Sequence, residues 1–443
     1  MRSLCVKAAV WSRMLGIPPA LCHLSCMAKQ AIRAAGRKTS AADERYFRRG
    51  LGLKKEIQPV IDFEYGSAIV GLIRDRDYEL HVDRIHLRLA KSSGFCYGVD
   101  RAVDYAYESR RKFPDRRILL VGEIIHNPHV NGRLQEMEIE FLYPSEEGEF
   151  DFSGVTPDDV VIIPAFGVTL HDFEALRALD CILVDTTCGS VLNVWKRVER
   201  YAREGFTSVI HGKHWHEETR ATSSQVLKSE GAQYLIVRDM AQARIVCSYI
   251  RGSGEREDFM RLFEKSVSEG FDPDIHLKRV GVANQTTMLA SESLAIAAEL
   301  GEAITDRWGP EEVPNRFRSF DTICSATQKR QDAVEEMMED PPDVMVVIGG
   351  YNSSNTNQLA YMCGLHTTTY HIEDASCIDT VRGRITHKLI GSDEIATQNA
   401  WLPDGDVGIG ITAGASTPNS KLGEAVERIL RGAGYNPSDL LTS

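Results

Sequence analysis

The chain has 443 residues, of which 43% are hydrophobic and 26% are charged, and this balance excludes a disordered or collagen-like protein. The length predicts roughly three domains, since a domain usually takes about 150 residues. The net charge is −12, and because seven Lys and Arg residues precede the first acidic residue, Asp43, the rest of the chain is more acidic still. Such an acidic chain disfavours nucleic acid as a partner. No run of 18 apolar residues is present, so the sequence predicts no membrane-spanning helix and no membrane partner.

The ten cysteines suit free thiols or metal ligands rather than a disulfide framework. A long chain with no clean signal peptide is typical of a reducing compartment, where disulfides are rare. No two cysteines form a CxxC pair, which removes the main support for a zinc-ribbon or thioredoxin-like site.

Residues 1–45 form a basic tail with no acidic residue before Asp43 and no sustained hydrophobic periodicity. Three interpretations apply: a disordered tail, a segment that is not translated because the true start is Met27, or an organellar transit peptide. The first two are favoured, because transit peptides are usually richer in serine and more continuously amphipathic.

Beyond the tail, alternating strand and helix patterns indicate an α/β fold with parallel sheets. We divide this part into an N-terminal extension without an assigned function and three α/β units, at 46–90, 91–187, 188–323 and 324–443. Strands are predicted at 118–121, 160–163, 182–184, 208–210, 234–237, 344–348 and 407–411, and helices at 99–112, 191–203, 291–300, 328–339 and 421–432. The polar stretches 250–275 and 380–405 are expected to be insertions or long connections.

A weak internal repeat places a cysteine at the same position three times. The copies read SGFCYGVDRAV, DTTCGSVLNV and DTICSATQKRQ and contain Cys96, Cys188 and Cys324. In each copy a turn of small residues leads to the cysteine in the first turn of a predicted helix. The unpaired N–H groups and positive dipole end of a helix lower the pKa of a cysteine, so we expect thiolates, the form that ligates a metal.

Three such distant cysteines can meet only if three α/β units face a common centre, which predicts a pseudo-threefold body. A 4Fe-4S cluster held by three thiolates leaves one iron open to a substrate. The alternative for any single cysteine is a buried small hydrophobic residue. We keep that interpretation for Cys181, Cys247, Cys363 and Cys377.

Polar groups that could surround an open iron follow several predicted strands. His126 ends one strand-loop segment, although a lone histidine there is more often structural. His216 and Glu218 are two apart in a segment that we expect to be extended, so they would point the same way and could relay a proton. His214 is left unassigned.

Two glycine-containing loops, GGYNSSNTN at 349–357 and GIGITAGASTP at 408–418, place hydroxyl and amide donors before a helix. Such loops can hold an anion, although ordinary caps and turns are the alternative. Neither loop has the Gly-Lys-Ser/Thr ending of a P-loop. With the NQTT segment at 284–287, the loops predict a pocket suited to a small diphosphate.

Eight segments together resemble the 4-hydroxy-3-methylbut-2-enyl diphosphate reductase family, in its longer plant and cyanobacterial branch. They read GFCYGVDRA, EIIHNPHVNGRL, DTTCGSVLNVWKRV, HGKHWHEET, ANQTTM, DTICSATQKRQDAV, GGYNSSNTN and GITAGASTP, and they lie in the family's order between residues 94 and 418.

The resemblance implies a trefoil of three α/β domains around one 4Fe-4S cluster held by the three repeat cysteines, with the open iron binding the allylic hydroxyl of the substrate. It implies that Glu218 is the proton donor. The implied substrate-binding residues are His126, His216, Thr286, Ser353, Ser354, Asn355 and Ser416.

The implied reaction is the last step of the methylerythritol phosphate route to isoprenoids. It removes the hydroxyl as water with two electrons from a ferredoxin or flavodoxin, and it yields isopentenyl and dimethylallyl diphosphate. The expected location is the bacterial cytoplasm, or the plastid stroma if residues 1–45 are a transit peptide.

One position departs from many bacterial members of the family, which have a second phosphate-binding histidine in the segment that here reads PAFGV. Phe166 stands there, and its side chain cannot donate a hydrogen bond to phosphate. The longer branch also has phenylalanine at this position, so we expect the contact to be absent and the activity to be retained.

Two other functions compete with the reductase. A Lewis-acid lyase similar to quinolinate synthase would use a three-cysteine 4Fe-4S cluster without external electrons. An iron-sulfur carrier or sensor would need no substrate pocket, and the anion-binding loops and Glu218 disfavour it.

Overall fold

The computed structural model describes residues 45–320 and 322–441, and it confirms the α/β class. Residues from Phe47 onward form one compact unit. The interpretations of the basic tail lie, apart from Arg45, outside the described residues. Among the helices of the described part, none combines the length and apolar character that crossing a membrane requires.

Strands and helices alternate along the chain. The strands are β1 (Tyr46–Phe47), β2 (Glu79–Val82), β3 (Ile85–Leu89), β4 (Ile118–Val121), β5 (Ile139–Leu142), β6 (Val160–Ile163), β7 (Ile182–Asp185), β8 (Thr207–His211), β9 (Tyr234–Val237), β10 (Val280–Asn284), β11 (Phe317–Ser319), β12 (Val344–Ile348), β13 (Thr368–Ile372), β14 (Ile378–Asp379), β15 (Arg384–Lys388), β16 (Ile395–Asn399) and β17 (Val407–Ala413). The helices are α1 (Lys54–Tyr65), α2 (Ala68–Asp75), α3 (Tyr97–Lys112), α4 (Pro128–Glu136), α5 (Leu170–Ala178), α6 (Gly189–Arg203), α7 (Glu217–Val226), α8 (Met240–Ile250), α9 (Arg256–Phe263), α10 (Pro273–His276), α11 (Ala290–Trp308), α12 (Val313–Arg316), α13 (Ser325–Met338), α14 (Ser354–Gly364), α15 (Asn419–Gly432) and α16 (Ser438–Leu441).

The strands of the described residues form three sheets. In the first sheet, β7, β6, β4 and β5 are parallel neighbours in that order. In the second sheet, the parallel neighbours are β11, β10, β8 and β9 in that order. The third runs β14-β15-β13-β12-β17-β3-β2, with β16 beside β15, and its central strands β13, β12, β17 and β3 are parallel. Because helices cover parallel sheets, their strands are buried on both faces, as the uninterrupted apolar run of β12 illustrates.

Each repeat cysteine lies where the chain passes from one sheet to the next. Strand β3 belongs to the third sheet, but after Cys96 helix α3 packs Val99 and Ala102 into the core of the first sheet. Strand β7 ends in the first sheet, and after Cys188 helix α6 packs on the second. Strand β11 ends in the second sheet, and after Cys324 helix α13 packs on the third. The three crossings bring the cysteines to a common centre.

Every strand and helix that the sequence predicted is present, with ends that differ by a few residues. The main difference is helix α11, which was predicted to end at Leu300 and continues to Trp308. The polar stretches are more ordered than predicted. The first contains helix α9, whose Phe259 and Phe263 are buried in the core of the second sheet, and the second contains the antiparallel pair β15 and β16.

The N-terminal extension contributes to the cores of two sheets. Helix α1 buries Ile57 and Ile61 in the core of the first sheet, whereas helix α2 buries Ile69 and Ile73 in that of the third. Strand β3 adds to the third sheet beside β17. We keep the division at residues 91, 188 and 324 as a proposal, in which strands β2 and β3 of the extension complete the sheet of the last unit.

Candidate active site

All eleven residues that the sequence predicted for the site line one cavity of about 650 Å3, a volume that includes its open mouth. The structure brings them together from all three sheets. They are Cys96, His126, Cys188, His216, Glu218, Thr286, Cys324, Ser353, Ser354, Asn355 and Ser416.

The three cysteines are the N-cap residues of helices α3, α6 and α13. The Sγ atom of Cys96 accepts the N–H of Val99 at 3.5 Å, and that of Cys324 accepts the N–H of Thr327 at 3.2 Å. The three thiols are therefore held at the amide-rich ends of their helices. None of the cysteines in the described residues forms a disulfide.

Gly98 allows two of the thiols to face the same space. A Cβ atom at this position would lie 2.5 Å from the Sγ atom of Cys188 and 3.9 Å from that of Cys96. Any larger residue would therefore displace the Cys188 thiol, which explains a glycine in the first turn of a helix.

The expectation that the helix termini alone would make these cysteines thiolates is wrong for two of them. Burial raises the pKa of the Cys324 thiol to about 11 and also raises that of Cys96, although backbone N–H groups oppose both shifts. Desolvation disfavours the charged form more than the helix N-terminus favours it. A metal has to displace these protons when it binds.

Glu218 is a buried carboxyl group whose position is set by one residue. Its side chain is 1% exposed, and its two oxygens accept the backbone N–H of Thr286 at 2.6 Å and the hydroxyl of Thr286 at 2.9 Å. Burial raises its pKa to about 7 despite these hydrogen bonds. The group can therefore hold or release a proton near neutral pH.

Two buried histidines adjoin each other beside Glu218. Their Nε2 atoms are 3.3 Å apart, and the Nδ1 atom of His216 accepts the backbone N–H of Glu218 at 3.1 Å. Burial and the nearby His126 hold the pKa of His216 well below its usual value, so its ring is neutral. Because its Nδ1 atom accepts, His216 carries its proton on Nε2 and donates toward His126.

The predicted extended segment around these residues is instead the start of a helix. His216 is the N-cap of α7, and Glu218 lies in the first turn. His214, which the sequence left unassigned, lies outside the lining of the cavity and packs edge-to-face against Trp215 with the ring centroids 4.7 Å apart.

Helix α14 presents unpaired polar atoms at its N-terminus. Ser353 caps the helix by accepting the N–H of Thr356 at 3.3 Å. The next two residues, Ser354 and Asn355, are each 2% exposed, and the Oγ atom of Ser354 and the Nδ2 atom of Asn355 have no hydrogen-bond partner among the described residues. Buried donors without partners at a helix N-terminus are suited to an anionic ligand.

Ser416 connects the second glycine-containing loop to the histidines. Its hydroxyl donates to the backbone oxygen of His126 at 3.1 Å, and its own backbone oxygen accepts the Nδ2 group of Asn127 at 2.8 Å. The loop after β17 is thereby tied to the loop after β4, which comes from a different sheet.

Phe166 packs against both histidines of the cavity. Its ring stacks on His126 with the centroids 4.3 Å apart, and it meets His216 nearly edge-on at 5.8 Å. The aromatic ring supports both imidazoles by packing and offers no hydrogen bond of its own.

Sequence reasoning missed two contacts of the site. The Oε2 atom of Glu123 lies 3.1 Å from the Nδ1 atom of His126, and the Thr327 hydroxyl lies 3.0 Å from the Sγ atom of Cys324. A signal for the second was present, because the third copy of the repeat has threonine where the other two have Val99 and Val191.

The comparisons with known proteins show the family of this chain. The family model described as LytB protein matches residues 87–430. The chain belongs to the LytB protein family. Relatives named 4-hydroxy-3-methylbut-2-enyl diphosphate reductase include one from Synechococcus sp. (strain CC9605), 46% identical over 88% of this chain and 96% of the relative, and one from Gloeothece citriformis (strain PCC 7424), 45% identical over 89% and 96%. The family prediction made from the eight motifs is confirmed.

A solved structure of a LytB-type chain supports the fold. The E-1-hydroxy-2-methyl-but-2-enyl-4-diphosphate reductase from Plasmodium falciparum is 20% identical, covers 79% of this chain and 88% of its own, and superposes with a TM-score of 0.57. The trefoil-like α/β class is confirmed.

The raised pKa of Glu218 predicts one glutamate side chain that titrates near pH 7 in the protein without substrate. Carbon NMR of protein labelled at the glutamate carboxyl carbon should show one such resonance, protonated below and ionised above that pH. The resonance should vanish in Glu218→Gln and persist in the control Glu217→Gln, whose side chain is 53% exposed. A Glu218 that stays ionised down to about pH 5 would contradict the prediction.

Proposed function

We propose that this chain reduces (E)-4-hydroxy-3-methylbut-2-enyl diphosphate to isopentenyl and dimethylallyl diphosphate, the last step of the methylerythritol phosphate route to isoprenoids. The observation that carries the proposal is one cavity that joins three cysteine N-caps, a buried carboxyl group and unpaired donors at a helix N-terminus. The name shared by its relatives supports it.

The cofactor in this proposal is one 4Fe-4S cluster held by Cys96, Cys188 and Cys324. The described residues fit such a group: three thiols line the cavity, and Gly98 leaves open the space beside two of them. When bound, such a cluster supplies electrons and an iron that three thiolates leave open to a substrate oxygen.

The diphosphate of the substrate binds against the N-terminus of helix α14. Ser354 and Asn355 give it the donors that have no partner in the protein, and the helix dipole favours its negative charge. The neutral His216 and its neighbour His126 complete the contacts from another sheet. Ser354, Asn355 and the neutral His216 hold the diphosphate by hydrogen bonds and do not form ion pairs with it.

The reaction consumes two protons, one that leaves with the hydroxyl as water and one that adds to the allylic carbon, and Glu218 supplies a proton to it. A carboxyl group with a pKa of about 7 is partly protonated at neutral pH, which suits a general acid. Thr286 fixes the carboxyl group through two hydrogen bonds, so the proton is presented from a defined position. As pH rises through about 7, Glu218 loses its proton and we expect turnover to fall.

The two electrons of the reaction come from an external carrier, a ferredoxin or a flavodoxin. We place the protein in the bacterial cytoplasm, or in the plastid stroma if the basic tail is a transit peptide.

The direct test is turnover of 4-hydroxy-3-methylbut-2-enyl diphosphate by protein purified without oxygen, with and without dithionite and a viologen dye. Formation of both five-carbon diphosphates only with the reductant is expected. Consumption of the substrate without reductant would favour the Lewis-acid lyase. A bound cluster with no consumption would favour a carrier or sensor, and either result would overturn the proposal.

Removing the acidic proton of Glu218 should abolish turnover while leaving the cluster in place. Glu218→Gln keeps the size of the side chain and one of its two acceptor oxygens but removes the acidic proton, and we expect turnover to fall by about 10²–10⁴-fold. Glu218→Asp, which retains a carboxyl group, should recover a measurable part of it. Turnover of Glu218→Gln within about tenfold of the unmodified protein, measured with reductant, would refute the role.

Removing one cysteine of the cavity should prevent assembly of a complete cluster. Cys188→Ser is expected to lose most of the visible absorbance and iron of protein purified without oxygen. Cys377→Ser is the control, because this cysteine is outside the cavity and its Sγ atom contacts the hydroxyl of Tyr351. An unchanged spectrum for Cys188→Ser would exclude it as a ligand.

A further inference from the structure

Arg330 is a buried arginine that connects two of the cysteine segments. Its side chain is 3% exposed and lies on helix α13, which begins directly after Cys324. One guanidinium nitrogen donates to the backbone oxygen of Gly94, two residues before Cys96, and another donates to that of Ala326 at 3.1 Å. The side chain therefore lies between two segments that are more than 200 positions apart in the chain.

Within the part of the chain that the structure describes, no ion pair neutralises the charge of Arg330. None of the carboxylates in the described residues lies within salt-bridge distance of it, and its Nε atom has no hydrogen-bond partner among those residues. Burying a cation without an ion pair lowers the stability of a fold, because the charge loses its hydration. Arg330 therefore lowers the stability of the fold unless an anionic group lies nearby.

The charges that Arg330 experiences are those of the site. When ionised, Cys96 and Cys324 attract its positive charge, and Arg330 lowers the pKa of Cys96 in return, although burial outweighs this effect. Asp100, in the first turn of helix α3, is the one carboxylate among the groups that act on Arg330. Arg330 therefore lies close enough to the thiols for its charge to act on whatever they hold.

We propose that Arg330 raises the reduction potential of the iron-sulfur cluster by placing a fixed positive charge beside its ligands. The inference rests on the cluster of the proposed function. Reduction adds one negative charge to the cluster, and a nearby buried cation stabilises the more negative state. Arg330 is thus a positioning residue that sets how readily the cluster accepts an electron, and it need not touch the substrate.

The test is the midpoint potential of the cluster, followed by electron paramagnetic resonance in protein purified without oxygen. Arg330→Gln, which retains donors but removes the charge, should shift the potential downward. We expect at least a tenfold loss in the equilibrium constant for one-electron reduction, which corresponds to 59 mV. Arg330→Lys, which keeps the charge, should stay closer to the unmodified protein.

Lys329→Gln is the matched control, because it removes the same charge from the neighbouring, exposed position of the same helix. Its potential should be unchanged, since solvent screens an exposed charge. Asp100→Asn gives a second measurement that does not depend on folding of the Arg330 variants. It removes the opposing charge and should shift the potential upward.

Equal potentials for Arg330→Gln and Lys329→Gln would overturn the inference while leaving the proposed function intact. If Arg330→Gln fails to retain iron, an unchanged potential in Asp100→Asn would overturn it instead. An unmodified protein without any cluster would overturn the proposed function and this inference together.

Discussion

The convergence of three helix N-termini on one cavity is the constraint on which the rest of the structure depends. Each repeat cysteine caps a helix at the point where the chain leaves one sheet and packs on the next. The three sheets must therefore be arranged around the cysteines, because each sheet receives the helix that follows one cysteine and supplies the strand that precedes another. A change in any one crossing would move a thiol away from the other two.

The cavity concentrates polar groups that the fold leaves buried and partly unpaired. Among the described residues, Ser354 and Asn355 have donors without partners, Glu218 is a carboxyl group at 1% exposure, and Arg330 is a cation without an ion pair. An unpaired buried donor costs about 1–3 kcal/mol, and a buried charge costs more. Groups of this kind lower stability unless a ligand satisfies them. Here Ser354, Asn355 and Glu218 line a single cavity, and Arg330 contacts the chain two residues from Cys96 and from Cys324. These groups have complementary chemistry. Ser354 and Asn355 offer donors to an anion, Glu218 offers a proton, and Arg330 places a positive charge near the thiols.

Much of the fold and the site could be predicted from the sequence, because the signals were local. Apolar runs such as that of β12 are too short for a helix and too continuous for an exposed strand, and the repeat marks the start of each helix behind a cysteine. The place of the N-terminal extension could not be predicted, since the pairing of β3 with β17 joins residues more than 300 positions apart. The stacking of Phe166 on His126 and the contact of Arg330 with Gly94 could not be predicted either, because each joins residues from separate segments of the chain. The sequence shows that Cys324 begins a helix, which lowers the pKa of its thiol, but it does not show burial. Burial raises the pKa by more than the helix terminus lowers it, so the expected thiolate was wrong.

The most direct test of the central claim is the 57Fe Mössbauer spectrum of protein purified without oxygen, recorded before and after addition of 4-hydroxy-3-methylbut-2-enyl diphosphate. Three thiolates on a four-iron cluster predict one iron whose environment differs from that of the others, and only that iron should respond to the substrate. Four equivalent irons that do not respond to the substrate would contradict the account, as would a protein that contains no iron.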